Sequence, residues 1–182
     1  MKSILMFLAL VFVGSSAYAQ NQSVPIPLKD QSNLEQFTEQ SGTVIQRETT
    51  HLAECAGLLV DLVKATDLGA KASFAGVRLV SVAPTTGSRL DNAAFIDADE
   101  IDRLIRAIDL IKTSAFTTAP DNYTELTYRT RGGLAIGAAY ANRKWTASLR
   151  LDRYEPRTTV YLDESQIDTL RALLAKAKEQ IH

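Results

Sequence analysis

The sequence predicts an α+β fold made of two ββββα units in tandem, and two observations support this. First, segment 94–112 aligns without a gap to segment 160–178, an offset of 66 residues. Second, each copy runs from a short apolar strand into an amphipathic helix, and alternating runs precede the second copy. Successive strands followed by one helix are typical of an antiparallel sheet with a helix on one face. We therefore expect two antiparallel sheets, each covered by a C-terminal helix.

The N-terminus has the three parts of a secretory signal peptide. Lys2 provides the positive charge, residues 4–13 form an unbroken apolar run, and residues 17–19 read Ala-Tyr-Ala. Ten apolar residues are too few to span a bilayer, which needs about 20 residues in a helix. An uncleaved anchor or a buried helix is the alternative. We predict cleavage after residue 19 and export to the periplasm or the extracellular medium.

The next segment, 20–42, is polar, carries Pro25 and Pro27, and lacks sustained periodicity. It is predicted to be a flexible leader that ends in a short helical turn around residues 34–37, so that the folded body starts near Thr43. The predicted division of the chain is a signal peptide (1–19), a leader (20–42), a first unit (43–116), a linker (117–122) and a second unit (123–182), the last three forming one compact domain.

Strand predictions are firmer in the second unit than in the first. In the first unit we expect strands at 43–50, 56–66, 72–83 and 92–96 and a helix at 98–113, although residues 51–64 fit a helix or a strand equally well. In the second unit we expect strands at 123–130, 133–141, 144–152 and 157–162. Alternation places Leu134, Ile136, Ala138 and Tyr140 toward the helix, and Trp145 with Ala147, Leu149 and Leu151 in the core.

Both repeat copies predict a capped amphipathic helix. Asp97 is followed three residues later by Glu100, and Asp163 by Gln166, which is the spacing of a capping box. Capping also explains the acidic cluster formed with Asp99 and Asp102 better than a calcium loop, which needs a glycine at its sixth position and a glutamate at its twelfth. The buried stripes predicted by helical spacing are Ile101, Leu104, Ile105, Ile108 and Ile111 in the first copy and Ile167, Leu170, Leu174, Ala177 and Ile181 in the second.

The tandem strand-strand-strand-strand-helix order over residues 43–181 resembles, in topology, the Whirly family of single-stranded-nucleic-acid-binding proteins. It also resembles the related transcriptional coactivators, which have one such unit per chain and dimerise. The chain has no match to the lysine-rich strand signature expected of Whirly proteins. The resemblance implies a fold, and fold does not determine function.

Charge and cysteine content narrow the function classes. Loss of Lys2 with the signal peptide would leave 19 basic against 21 acidic residues, a net charge of −2, which argues against a dedicated polyanion binder. Cys55 is the single cysteine, so no internal disulfide can form. Segment 121–157 is nevertheless locally basic, at +3, and contains five aromatic residues.

Four basic residues of that segment are the candidate contact residues: Arg129, Arg131, Lys144 and Arg150. We expect them on the sheet face that points away from the helix, where they could contact an acidic protein or an anionic envelope polymer. The alternative is that outward arginines have no ligand and only keep the sheet soluble and discourage the pairing of its edges with other chains. Arginine mixed with aromatic residues also suits single-stranded nucleic acid, which we consider the less probable ligand.

Small residues alternate at Gly133, Ala135, Gly137 and Ala139. Such a face lets another element approach closely. The other half of the chain would pack there in one interpretation, and a second copy of the chain, forming a homodimer, in the other.

Little in the sequence points to catalysis, a metal or a cofactor. His51 and Cys55 would share a face if their segment were helical, which would suit a metal pair or a Cys–His nucleophile, but a buried structural cysteine is the commoner case. No catalytic residue, metal site or cofactor is predicted. The preferred hypothesis is an exported, non-enzymatic binding module of a bacterial envelope; the alternatives are a nucleic-acid-binding protein and a hydrolase with its site between the two units.

Overall fold

A computed structural model describes residues 30–82 and 93–181. The predicted signal peptide, the first part of the leader and residues 83 and 92 of two predicted strands lie outside these ranges. The helices are α1 (Asn33–Thr38), α2 (Ile101–Ala115) and α3 (Glu164–Gln180), and the strands are β1 (Ile45–Cys55), β2 (Leu58–Asp67), β3 (Ser73–Ser81), β4 (Ala93–Asp97), β5 (Thr124–Arg129), β6 (Ala135–Ala141), β7 (Lys144–Arg150) and β8 (Thr159–Leu162). Within the described ranges, none of the helices has the length and apolar character needed to cross a membrane.

The strands form two four-stranded antiparallel sheets, ordered β1-β2-β3-β4 and β5-β6-β7-β8, each followed by a helix. The predicted α+β fold with two ββββα units is therefore confirmed. The ambiguous residues 51–64 belong to a hairpin, because Ala56 and Gly57 both have positive φ and turn β1 into β2.

Each long helix packs mainly on the sheet of the other unit. Helix α2 contacts β5 and β6, helix α3 contacts β1 and β3, and the two helices contact each other. The core is consequently one apolar cluster that both units share. Ile101 and Ile167, at the start of the two predicted stripes, are 0% and 3% exposed, so both stripes face inward as expected.

The predicted capping box is confirmed in the second copy and wrong in the first. The Asp163 side chain accepts a hydrogen bond from the Gln166 backbone N–H, and the Gln166 side chain reaches back. Asp97 makes no such bond to its own helix, which begins with a 3-10 turn at Ala98–Glu100. Its carboxylate accepts instead from the backbone N–H groups of Asn33 and Leu34, at 2.8 and 2.9 Å, and so caps α1.

The folded body begins before Thr43, contrary to the prediction. The short helix expected near residues 34–37 is present as α1, and it is docked: Leu34 and Phe37 are buried against Val63 and Ala65 of β2. This helix covers the outer face of the first sheet, opposite α2 and α3. Two buried apolar side chains and the cap from Asp97 explain why a mostly polar segment is held there.

Candidate binding face of the second sheet

The outer face of the second sheet, which points away from α2 and α3, carries two adjacent rows of polar and small residues. Register places Arg129 opposite Ala135, Ala135 opposite Arg150, and Arg150 opposite Thr159. The next row runs in the same way through Thr127, Gly137, Ser148 and Tyr161. Neighbours of opposite parity, such as Ile136, Ala147 and Leu149, are buried in the core. Thr127 and Ser148 were not singled out from the sequence, because cross-strand register was the signal needed to find them.

These rows surround a cavity of about 70 Å³. Its wall includes the Arg129 and Arg150 side chains, and Ala135 and Gly137 form its floor. A water molecule occupies about 30 Å³ of liquid volume, so the space is that of one small polyatomic group, such as a carboxylate or a phosphate.

The two arginines are not neutralised by acidic residues. The Arg129 side chain makes no hydrogen bond or ion pair within the part of the chain that the structure describes, and the Arg150 side chain donates only from Nε to the Thr159 hydroxyl, at 3.1 Å. Glu125 also contributes to the wall and accepts hydrogen bonds from Tyr123 and Thr127, at 3.3 and 3.1 Å, so the two arginines outnumber one carboxylate at the cavity. Two guanidinium groups therefore have donors available at the cavity.

Lys144, the third predicted contact residue, lies on the same face but at the far end of β7, opposite Ala141. Six residues separate it from Arg150, which is about 20 Å of strand. It is exposed, and the structure brings only Arg129 and Arg150 together.

Arg131, the fourth, is not on this face, so that part of the prediction is wrong. Its guanidinium lies 2.5 Å from the Asp97 carboxylate and 3.0 Å from that of Asp99, and its backbone N–H donates to Glu100 at 2.8 Å. Arg131 lies two residues beyond the end of β5, where the chain has left the sheet. Its contacts with Asp97 and Asp99 therefore connect the second unit to the end of β4. Its role in the structure is to join the two units.

The aromatic residues of this segment lie mostly on the inner side. Tyr128 and Trp145 pack against the core cluster, as predicted for Trp145, whose indole N–H donates to the Thr118 carbonyl at 2.7 Å. The Tyr140 and Trp145 rings contact each other at a tilt, with their centroids 5.3 Å apart. On the outer face, Tyr161 is 70% exposed, and Tyr123, just before β5, is 67% exposed.

Three residues of the small-residue face, Ala135, Gly137 and Ala139, line the open cavity, whereas Gly133 is buried beside Asp30. A Cβ on Gly137 would collide with the Leu126 carbonyl oxygen. Glycine is therefore required here by the close approach of β5 to β6.

His51 and Cys55 are not brought together, because their segment is a strand with a register shift after His51 and not a helix. The His51 imidazole lies 3.0 Å from the Asp61 carboxylate, which also accepts from Arg78. The Cys55 thiol donates to the Gln166 carbonyl at 3.3 Å, and burial raises its pKa. In the described part of the chain, no three His, Cys, Asp or Glu residues are grouped as metal ligands.

The hydrolase hypothesis calls for a cleft between the units that holds two carboxylates of raised pKa, and it stays a prediction. Helices α2 and α3 fill the junction, and hydrogen bonds from basic partners lower the pKa of Asp99, Asp102 and Asp109.

No protein family, curated protein or solved structure matches the chain. The resemblance to Whirly proteins stays a prediction.

Proposed function

We propose that the protein is an exported binding module that captures an acidic partner on the outer face of its second sheet. The observation that carries this proposal is the pair Arg129 and Arg150, which flank Ala135 beside a cavity and lack acidic partners. The partner is a protein or an anionic polymer that presents carboxylate or phosphate groups.

The chemistry follows from the geometry of the guanidinium group. It presents N–H donors in a planar fork that matches the two oxygens of a carboxylate or phosphate. An acidic group placed over Ala135 could receive donors from both sides, and the hydroxyls of Thr127 and Ser148 lie in the next row. The small floor lets the partner approach the sheet closely.

Single-stranded nucleic acid fits the same face less well. Base stacking requires several aromatic rings beside the basic residues. Tyr128, Tyr140 and Trp145 have the inner parity, which leaves Tyr161 in the row next to the arginines. An acidic polypeptide or polymer needs only the charges, which makes it the preferred partner.

The test compares the wild-type chain with the double variant Arg129→Gln/Arg150→Gln. Affinity is measured by calorimetry at low salt for oligoglutamate, polyphosphate and oligothymidylate of similar length. The matched control is Arg47→Gln/Lys176→Gln, which removes the same charge from two exposed positions elsewhere. We expect the outer-face variant to weaken oligoglutamate or polyphosphate binding at least about tenfold, which is 1.4 kcal/mol, with an unchanged melting temperature.

Three outcomes would refute the proposal. They are no binding of any probe at low ionic strength, equal losses in the two double variants, and oligothymidylate binding with no binding of the other two probes. The last result would support the nucleic-acid alternative, and that binding should fall steeply with salt.

A further inference from the structure

A second cavity lies at the opposite end of β6 from Arg129. It is a cleft about half open to solvent, with a volume of about 660 Å³. The end of the interunit linker forms one side, and the turn between β6 and β7 forms the other. The lining residues used below are Asp121, Asn122, Tyr123, Tyr140, Asn142 and Arg143.

Two tyrosine rings provide apolar walls. Tyr123 is 67% exposed, and its hydroxyl donates to Glu125 at 3.3 Å. Tyr140 is half-buried against Trp145, whose indole N–H is held by the Thr118 carbonyl. The Tyr140 ring is thus held by its contact with Trp145, and the Tyr123 ring is exposed to solvent. Burial of the Tyr123 ring by a ligand would be favourable.

Polar side chains at the rim are free to bind. Asp121, Asn142 and Arg143 are exposed, and their side chains make no hydrogen bond to any residue that the structure describes. Together with Asn122 they offer carboxylate and amide acceptors and amide and guanidinium donors. The charges of Asp121 and Arg143 cancel, so the rim is close to neutral.

The turn between β6 and β7 has an arginine, Arg143, at a position with positive φ that glycine would adopt with less strain. Asn142 and Arg143 have φ of 52° and 60°, as both central residues of a type I′ turn must. The preferred sequence for this turn is Asn-Gly, since a side chain in the left-handed region is strained. Residues held in such conformations cluster at functional sites. The arginine is therefore not explained by the turn itself.

We infer that this cleft binds an oligosaccharide. A pyranose ring has an apolar C–H face that packs on an aromatic ring, and a rim of hydroxyls that carboxylate, amide and guanidinium groups bind in pairs. A rim that is close to neutral offers a polyphosphate no net attraction, and its polar groups do not suit a purely apolar ligand. The site is about 20 Å along β6 from the arginine pair, so this inference goes beyond the acidic-partner function and does not depend on it.

The single tryptophan makes the test direct, since Trp145 contacts Tyr140 in the cleft wall. Its fluorescence and the heat of binding are followed while chitotetraose, cellotetraose and tetragalacturonate are each added to about 1 mM, where weak specific binding is detectable. We expect at least one of these sugars to bind. Tyr123→Ala should weaken that binding at least about tenfold, whereas Tyr161→Ala, which removes another exposed ring from the same sheet, should not.

Arg143→Gly separates ligand binding from stability. It creates the preferred Asn-Gly turn, so the melting temperature should rise while the affinity for the sugar falls. Arg129→Gln/Arg150→Gln should bind the sugar like the wild type, so failure of either proposal can be recognised separately. Three results would overturn the inference: no response to any of the three sugars, unchanged affinity in Tyr123→Ala, or a Trp145 response to oligothymidylate alone.

Discussion

The Lys112 ammonium lies 2.6 Å from both carboxylate oxygens of Asp168, and this contact joins the two long helices. The repeat counterparts of these residues, Lys178 and Asp102, form the same pair at 2.7 and 2.8 Å. Reciprocal contacts of this type are those of a twofold dimer interface. The two units of one chain are therefore associated as the subunits of a symmetric dimer would be.

Shared packing between the units predicts that they unfold together. Leu104→Ala and Leu170→Ala remove side chains that are each 1% exposed in the common core. Each should lower the free energy of unfolding by about 2–5 kcal/mol. Urea unfolding followed by far-ultraviolet circular dichroism and by Trp145 fluorescence, which reports on the second sheet, should give one coincident transition.

A matched control for these variants is Leu110→Ala, since Leu110 lies on α2 and is 67% exposed. Its effect should be within about 0.5 kcal/mol. Separate transitions for the two probes in the wild type would contradict the shared core.

The two repeat aspartates should differ in importance, because only Asp97 connects distant segments. Asp97→Ala leaves two α1 backbone N–H groups without their acceptor and removes one of the two carboxylates bound to the Arg131 guanidinium, and should cost about 3 kcal/mol or more. Asp163→Ala removes only a helix cap and should cost clearly less. Chemical unfolding of both variants measures this difference, and an equal or larger loss for Asp163→Ala would be inconsistent with the cap of α1.

Acid should destabilise the protein through its paired carboxylates. Hydrogen bonds from Lys178 and Arg171 lower the pKa of Asp102 and Asp109, and Arg157 lowers the pKa of Glu155 to about 2. The unfolded chain then binds more protons than the folded chain, so this stability is complete above the ordinary pKa of about 4 and is lost as the pH falls through the lowered values.

Melting temperatures between pH 7 and pH 2 at low salt would show this loss. Asp102→Asn/Asp109→Asn should make the decline below pH 4 shallower, and added salt should do the same, because exposed pairs are screened. A steeper acid decline in the double variant would show that the sign is wrong.

Cys55 should react slowly in the folded protein. Its side chain is 6% exposed, burial raises the pKa of the thiol, and the reactive species is the thiolate. Iodoacetamide labelling at pH 8, followed by mass spectrometry, should be slow in buffer and fast in urea. Labelling in buffer at the rate of a free cysteine would mean that β1 opens readily from α3.

Periodicity was sufficient to predict most strands and both long helices, because alternation and the 3.6-residue spacing are local properties. Contacts between segments distant in sequence were not predictable in this way. Asp97 has the spacing of a helix cap, yet its carboxylate accepts hydrogen bonds from the backbone of α1, which is more than 60 residues earlier. Arg131 has the charge of a contact residue but lies just past the sheet, where Asp97 and Asp99 bind it.

Helix α1 makes the duplicated molecule unequal on its two sides. In a symmetric dimer of identical chains the outer sheet faces of the two subunits are identical, so a segment that covers one face also covers the other. Here a single chain holds both halves, and α1 seals one outer surface with Leu34 and Phe37. The matching surface of the other half carries no such helix in the described part of the chain, so two similar units present one open outer surface per molecule.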